Sequence, residues 1–309
     1  MTKSLRLVGY AGLTLGVFCA CLYWTFPYHL VKERLIAVVE QQFGGVLAVS
    51  IEKFSPSWFT GAKLKGIKIE TRSVDGPKPV WTADRVRVRV GLISLLVGSP
   101  KVRFAVKSKG SRINGMFRRV ENGFQLDLEC DPLDLSELIY LKQTSGANLA
   151  GTIEGNLRLV MNTAQVVQSV GEIQLAFKQW KVSAGSKISL GPMGQLEVKE
   201  DLVLTKGEGS GLQVTIAKGI ADVAGLKLAG GDVEMDLKGQ AFLSQRIANV
   251  RMNVSGQMKI ASKVEQILPF LFLLEKQKQP DGTYPLTMAG NLNRPQIKIG
   301  EFPLTFAAH

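Results

Sequence analysis

Histidine and cysteine are scarce in this sequence, and their scarcity narrows the chemistry that it supports. The histidines are His29 and the final residue, His309, and neither position favours a Ser-His-Asp or Cys-His catalytic site. The cysteines are Cys19, Cys21 and Cys130, which form no Cys-x-x-Cys pair. The sequence therefore indicates no zinc site, thioredoxin motif or disulfide framework.

Acidic residues are also outnumbered, with 26 Asp and Glu against 38 Lys and Arg, for a net charge of +12. A basic balance is typical of proteins that bind nucleic acid, anionic membranes or acidic partners, but a solvated basic surface gives the same count. The glycine-rich GEGSG, residues 207–211, lacks the Lys-Ser/Thr of a phosphate-binding P-loop. We predict a protein that is not an enzyme and has no catalytic residues, cofactor or metal site.

The N-terminus carries the longest uncharged apolar run, LVGYAGLTLGVFCACLYWTF over residues 7–26. This is the length of a membrane-spanning helix. Lys3 and Arg6 precede the run, so the positive-inside rule places the N-terminus in the cytoplasm. We predict a single-pass signal anchor over residues 1–30. Its membrane-contacting residues are Leu7, Leu13, Leu15, Val17, Phe18, Leu22, Tyr23, Trp24 and Phe26.

Two other readings of this run stay open. A cleaved signal peptide would have a shorter apolar core and a small-x-small cleavage site, whereas the exit here is bulky. A lipoprotein cleavage before Cys21 would require Phe18 at a position where leucine is expected. Retention of the segment as an anchor is the favoured interpretation.

From Leu47 onward, apolar and polar residues alternate with a period of two. In RMNVSGQMKI, for example, Met252 and Val254 alternate with Asn253 and Ser255, and DVEMDLK and TIEGNLRL repeat the pattern. Strict alternation predicts a largely antiparallel sheet with one buried and one wetted face. Gly-rich turns separate the strands and no long linker appears. We predict one β-rich domain over residues 31–309.

Short helices are predicted around this sheet. Residues 31–44 have helical apolar spacing, and LDLSELIYLKQ (residues 133–143) has Asp134 or Ser136 as its N-cap. A third helix, residues 262–279, is a lid on the apolar face or, alternatively, dips into a membrane. The apolar residues of this candidate lid or groove helix are Ile267, Leu268, Phe270, Leu271, Phe272 and Leu274.

The stretch WTADRVRVRVGLISLLVGSPKVRF, residues 81–104, is strongly basic and has no acid after Asp84. Like charges on one strand face repel each other, so the face is either solvated or meets an acidic partner or anionic lipid head groups. Nucleic acid is not expected, because the predicted topology places this part outside the cytoplasm. The candidate contact residues are Arg85, Arg87, Arg89, Lys101 and Arg103.

Strand-and-turn signatures follow one another along most of the chain, and their order is informative. They are SPSWFTGAKLKGIKIE, WTADRVRVRV with LISLLVGSPKVRF, DLSELIYLKQTSGANLAGTIEGNLRL, GEIQLAFKQWKV, GLQVTIAKGIADVAGLKLAGGDVEMDLKGQAFLS and DGTYPLTMAGNLNRPQIKI. In this order the chain resembles the type II secretion system protein N family and, more distantly, AsmA-like proteins. None of these signatures is a catalytic motif.

The resemblance implies a bacterial inner-membrane protein with its bulk in the periplasm, acting as a bitopic scaffold or assembly factor alongside other secretion-system proteins. The AsmA-like relation implies an elongated, curved half-barrel whose apolar face forms a groove. It also gives the alternative function, a lipid-binding or lipid-transfer protein that holds phospholipid and supports outer-membrane homeostasis. An exposed apolar face of more than a few hundred Å² would favour this alternative.

Overall fold

The computed structural model describes most of the sheet and a few helical positions before it. The described residues are 17, 30, 32–33, 36–37, 40, 47–57, 61–73, 76–91, 94, 98–139, 142, 146–189, 195–244, 249–267, 274–292 and 294–304. The predicted membrane anchor, residues 1–30, lies outside them, except Val17 and Leu30. Within this part of the chain, no helix is long and apolar enough to cross a membrane.

One antiparallel sheet of 16 strands dominates the fold, and a separate two-stranded sheet accompanies it. The strands are β1 (Leu47–Ser57), β2 (Gly61–Ser73), β3 (Gly76–Val90), β4 (Lys101–Ser108), β5 (Ser111–Val120), β6 (Gly123–Asp134), β7 (Leu149–Asn162), β8 (Val170–Val182), β9 (Lys187–Ser189), β10 (Gln195–Glu197), β11 (Leu202–Val203), β12 (Gly211–Ala217), β13 (Ile220–Leu228), β14 (Val233–Phe242), β15 (Arg251–Ile260), β16 (Thr283–Asn291), β17 (Arg294–Ile299) and β18 (Phe302–Leu304).

The large sheet is a meander in which each strand pairs with the next. The one excursion lies between β8 and β12, where β9 and β10 form the separate pair and β11 joins the end of β8. The first and last strands do not pair with each other, so the sheet is open. The prediction of a mainly β, antiparallel fold beginning at Leu47 is confirmed.

The meander gives the sheet two ends, which we call upper and lower. The lower end holds the β5–β6, β7–β8, β12–β13, β14–β15 and β16–β17 turns, together with the connection from β3 to β4. The upper end holds the start of β1, the β4–β5 turn and the excursion between β8 and β12. It also holds α1 (Ser262–Ile267), which follows β15.

The register separates a polar face from an apolar face across the whole sheet. One row of directly paired residues runs Arg87, Ala105, Asn114, Glu129, Asn156, Gln174 and Gln213. The next row on the other face runs Val88, Phe104, Gly115, Leu128, Leu157, Ile173 and Val214. The predicted alternation in β7, β14 and β15 is confirmed.

The alternation shifts by one residue at the same level in β1, β2 and β3. In β2 the buried or half-buried positions are the odd-numbered Ile67 and Ile69 on one side of Gly66 and the even-numbered Leu64 on the other. Gly66 itself has φ +60°. A Cβ atom on Gly66 would lie 2.2 Å from the Glu52 carboxylate, which crosses the glycine to pair with Lys68 at 3.6 Å. The shift keeps one apolar face on the same side of all three strands.

Two clusters cover parts of the apolar face. Ile36, from the helical positions before β1, packs on β1–β3, and the Glu40 carboxylate accepts the N–H of Val49 at 3.0 Å. In the C-terminal half, Val198, Val264 and Leu274 pack with strand residues such as Leu237. Because these covering residues come from outside the strands, they cap the sheet from its margins.

The predicted helix over residues 133–143 is wrong at its start. β6 continues through Leu133 and Asp134, which pair with Ile153 and Thr152 of β7. A 3-10 turn, Leu135–Glu137, follows, and Asp134 is its N-cap, as predicted: the Asp134 carboxylate accepts the N–H of Ser136 at 2.8 Å. Strand pairing therefore outweighs local helix propensity at this point.

Candidate functional site

The polar face of β1–β5 is a continuous basic surface, which we call the basic face. The register places Lys65, Arg85 and Lys107 directly opposite one another, and Arg89 opposite Arg103. Ten of its cationic side chains are exposed and Lys101 is half-buried. The full set is Lys53, Lys63, Lys65, Arg85, Arg87, Arg89, Lys101, Arg103, Lys107, Arg112 and Arg118.

None of these side chains forms an ion pair with another residue that the structure describes. The ion pairs of the described chain lie on other residues, for example Lys227 with Asp236 at 3.4 Å and Lys181 with Asp201 at 2.6 Å. Directly opposed like charges destabilise a strand pair by a few tenths of a kcal/mol or more. The basic face is therefore not an arrangement that folding itself favours.

An open groove adjoins the basic face on the same polar side of the sheet. Its volume is about 1370 Å³, and it extends from β3 to β12. Arginines stand at its β3–β4 side, and acidic and amide side chains follow on β6–β8. The side chains that define this gradient are Arg87, Arg89, Arg103, Asp127, Glu129, Glu154, Asn156, Arg158, Glu172 and Gln174.

Asp127 lies on the floor of the groove. Its Oδ2 accepts a hydrogen bond from Gln125 at 3.0 Å, and its Oδ1 lies 3.8 Å from Nε of Arg158. Oδ1 is shielded from solvent and has no hydrogen-bond partner in the described part of the chain. Nearby, Lys178 pairs with Glu154, and this hydrogen bond and charge raise the pKa of Lys178.

The groove holds no candidate metal site among the residues described. No three His, Cys, Asp or Glu side chains there are close enough together to hold a metal ion. Cys130 is a free thiol, and burial raises its pKa, which disfavours the nucleophilic thiolate. The groove presents cationic, carboxylate and amide side chains, which can bind polar or charged groups.

The predicted site residues are only partly brought together. Arg85, Arg87, Arg89, Lys101 and Arg103 share the basic face, as the alternation in β3 indicated. Leu274 is fully buried in the C-terminal cluster, so it belongs to the core. Ile267 ends α1, and the rest of the predicted lid, residues 268 and 270–272, lies outside the described residues. Of the anchor residues, Val17 alone is described; it is helical and exposed.

Sequence reasoning missed the contribution of β1 and β2 to the basic face. Lys53, Lys63 and Lys65 lie more than twenty residues before Arg87 in the chain, and only pairing of β2 with β3 makes them neighbours. The alternation in AKLKG, residues 62–66, was the available signal, because it places Lys63 and Lys65 on one strand face.

In the described residues, fewer side chains from outside the strands cover the apolar face of β4–β8 than cover the apolar face of β1–β3 or of the C-terminal strands. Ile113, Leu128, Leu157 and Ile173 are half-buried there. The Phe104 ring lies across Gly115, where an added Cβ would come within 2.1 Å of it. In the described residues, the cluster on β12 and its neighbours is built from strand residues and Leu243 alone.

Comparison with family models, with curated proteins and with solved structures finds no match to this chain.

Proposed function

We propose that this protein is a non-catalytic component of the bacterial cell envelope, anchored in the inner membrane with its sheet in the periplasm. The sequence resemblance indicates the assembly in which it acts, a type II protein secretion system. In that system the chain would be a bitopic scaffold or assembly factor. The observation that carries the proposal is the unpaired basic face of β1–β5.

The charges on this face favour association more than folding. Because the described residues include no acid paired with Arg85, Arg87 or Lys63, these side chains gain no intramolecular ion pair. An acidic surface on a second protein would pair with them and relieve their mutual repulsion. Complementary charge of this kind increases association rate and specificity, even where it adds little net affinity.

The architecture suits a scaffold. An open meander of 16 strands offers a broad face and two terminal strands, β1 and β18, each of which lacks a strand partner on one side among the residues described. Free strand edges and wide faces are both surfaces on which other chains assemble. The sheet can therefore hold more than one partner at once.

Charge reversal on the basic face tests the proposal. The variant Lys63→Glu/Arg85→Glu/Arg87→Glu is expressed in a deletion strain, and exoproteins are measured in the periplasm and in the medium. We expect exoproteins to accumulate in the periplasm as they do in the deletion strain. The matched control, Lys238→Glu/Lys259→Glu/Lys298→Glu, reverses three exposed lysines on β14, β15 and β17 and should restore export.

Two outcomes would contradict the proposal. If the basic-face variant restores export as well as the wild-type chain, the basic face is not the partner surface. If the deletion itself leaves export normal, the secretion role is refuted. Circular dichroism of both variants establishes that a loss of export does not come from a loss of folding.

A second candidate function is lipid binding on the apolar face. The observation that favours it is the half-exposed set of Phe104, Ile113, Leu128 and Leu157 on β4–β7. A photo-crosslinking amino acid at Leu128 should capture phospholipid in cells, and the same group at Asn156, on the polar face, should not. Equal capture at both positions, or none at either, would refute lipid binding on this face.

A further inference from the structure

Exposed apolar side chains are concentrated at the lower end of the sheet. Outside the helical positions 17 and 30, the large apolar side chains exposed in the described residues range from Phe117 at 38% to Val167 at 66%. All of them lie in or beside lower-end turns, and none lies at the upper end. The set is Phe117, Val167, Val170, Phe242 and Leu292.

Backbone hydrogen bonds join these turns into one rim. The Thr163 N–H donates to the Asn122 carbonyl at 2.8 Å, so the β7–β8 turn is tied to the β5–β6 turn. Further along, the Leu243 N–H donates to Gly219 at 2.9 Å. The remaining link joins the last two turns, where the Leu292 N–H donates to Val250 at 2.8 Å. The apolar side chains are therefore held in a fixed arrangement.

The β7–β8 and β12–β13 turns are also in close contact. A Cβ added to Gly219 would lie 3.2 Å from the Val167 Cα atom. This contact closes the gap in the row of hydrogen bonds, so the rim is continuous from β5 to β17. At its other side, the Arg119 N–H donates to the Pro100 carbonyl at 3.2 Å, which brings in the connection before β4.

Charge at the lower end is mainly positive. Among the described residues, the last two of each strand there and the turns between them include the cations Arg89, Lys101, Arg119, Lys218, Arg251 and Arg294, against one acid, Glu121. The upper end differs, because it carries both signs in ion pairs. Examples are Lys181 with Asp201 at 2.6 Å and Lys263 with Glu200 at 3.4 Å.

We propose that the lower end of the sheet docks on an anionic lipid bilayer, with its exposed apolar side chains entering the interface and its cations meeting the head groups. Apolar side chains that project beside cations are the combination that binds membrane interfaces. The cations explain the preference for anionic lipid. The apolar side chains explain why attachment persists when salt screens the charges.

The bilayer is the one that holds the chain's own N-terminal apolar segment, and this part rests on the proposed membrane anchor. Residues 27–46 separate that segment from β1, and several of them are helical. Because β1 begins at the upper end, this tether must also pass the length of the sheet, about 37 Å for the 11 residues of β1. Twenty residues reach at most about 70 Å when fully extended, which is enough to let the lower end meet the membrane. So short a tether gives the sheet a high effective concentration at its own membrane, and a weak docking surface is then sufficient.

The test uses the full chain with Cys19, Cys21 and Cys130 replaced by alanine and one new labelling site. Val167→Cys carries an NBD fluorophore at the lower end, and Glu208→Cys carries it at the upper end as the control. Each protein is reconstituted into phosphatidylcholine vesicles with or without phosphatidylglycerol, and quenching by nitroxide-labelled lipid is measured. Vesicle flotation reports membrane attachment separately.

We expect strong quenching at position 167, little at position 208, and a dependence on phosphatidylglycerol. A second variant, Arg119→Gln/Lys218→Gln/Arg251→Gln, should weaken docking about a hundredfold, since each cation near an anionic surface contributes about fivefold. Quenching at 167 should then fall to the level at 208. The matched control, Lys206→Gln/Lys227→Gln/Lys263→Gln, removes three upper-half lysines and should leave quenching unchanged.

Failure of the docking surface and failure of the membrane anchor give different results. If the protein floats but position 167 is not quenched, the anchor stands and the lower-end proposal is overturned. Equal quenching with and without phosphatidylglycerol overturns the preference for anionic lipid. If the protein does not float on either vesicle, both the anchor and the docking surface are refuted, because docking alone would also bring it up with anionic vesicles.

Discussion

Neutralising Arg87 should stabilise the protein rather than weaken it. Arg87 lies directly opposite Lys63, and Arg85 and Arg89 flank it two residues away on the same strand face. Two unit charges about 7 Å apart in water repel by about 0.6 kcal/mol. Three such neighbours give an upper limit near 2 kcal/mol, and salt and splaying of the side chains reduce it. We expect Arg87→Gln to raise stability by about 0.5–1 kcal/mol at low ionic strength.

Thermal unfolding followed by circular dichroism at low and high salt measures this effect. A gain of that size corresponds to a rise in Tm of about 1–4 °C, and it should vanish near 1 M salt, where the Debye length is about 3 Å. Arg158→Gln is the matched control, since Arg158 faces Asp127 at 3.8 Å and its loss should leave stability unchanged or slightly lower. A loss of more than about 1 kcal/mol for Arg87→Gln would refute the reasoning, because it would mean that an intramolecular partner compensates this charge.

Three further predictions concern stability. Gly256→Ala should cost more than about 2 kcal/mol, because the new Cβ would lie 1.9 Å from the Asp236 carbonyl oxygen; Gly110→Ala, with open space around it, should be near neutral in the same urea titration. Leu274→Ala should cost about 2–5 kcal/mol, since Leu274 is fully buried, and retention of the wild-type urea midpoint would contradict its place in the core. The hydrogen bond from Lys181 lowers the pKa of Asp201, and the hydrogen bond from the Ala184 N–H lowers it further. Ionised Asp201 therefore stabilises the folded protein fully above the unfolded-state pKa of the carboxyl, and this stabilisation is lost as pH falls through the lower folded-state pKa. Asp201→Asn should therefore unfold at a lower temperature at pH 7, with the difference closing below about pH 4; a difference that is independent of pH would contradict this.

Local pattern was sufficient to predict most strands. In β14 and β15 every second residue is apolar or glycine, and the same residues are buried or half-buried in the sheet. The period of two needs no tertiary information, because successive side chains of a strand point to opposite faces. Local pattern failed at Leu133 and Asp134 because both residues pair with β7 as strand, although Asp134 does cap the 3-10 turn that follows, as predicted.

The candidate site was less predictable than the fold. Arg85, Arg87 and Arg89 could be placed on one face from β3 alone, but Lys63 and Lys107 join them only through the pairing of three strands. The groove containing Asp127 was not predictable at all, because its residues come from strands that are separated by long stretches of sequence. The lower-end side chains carry no periodic signal, since several of them lie in turns.

The sequence by itself determined that this protein is a sheet of alternating strands with a polar and an apolar side, because alternation is a property of each strand. It also determined the excess of positive charge and the single long apolar run at the N-terminus. The tertiary structure decided which strands are neighbours and which turns share an end. Cross-strand pairing sets those distances, and they gather the cations on β1–β5 and the exposed apolar side chains on the lower rim.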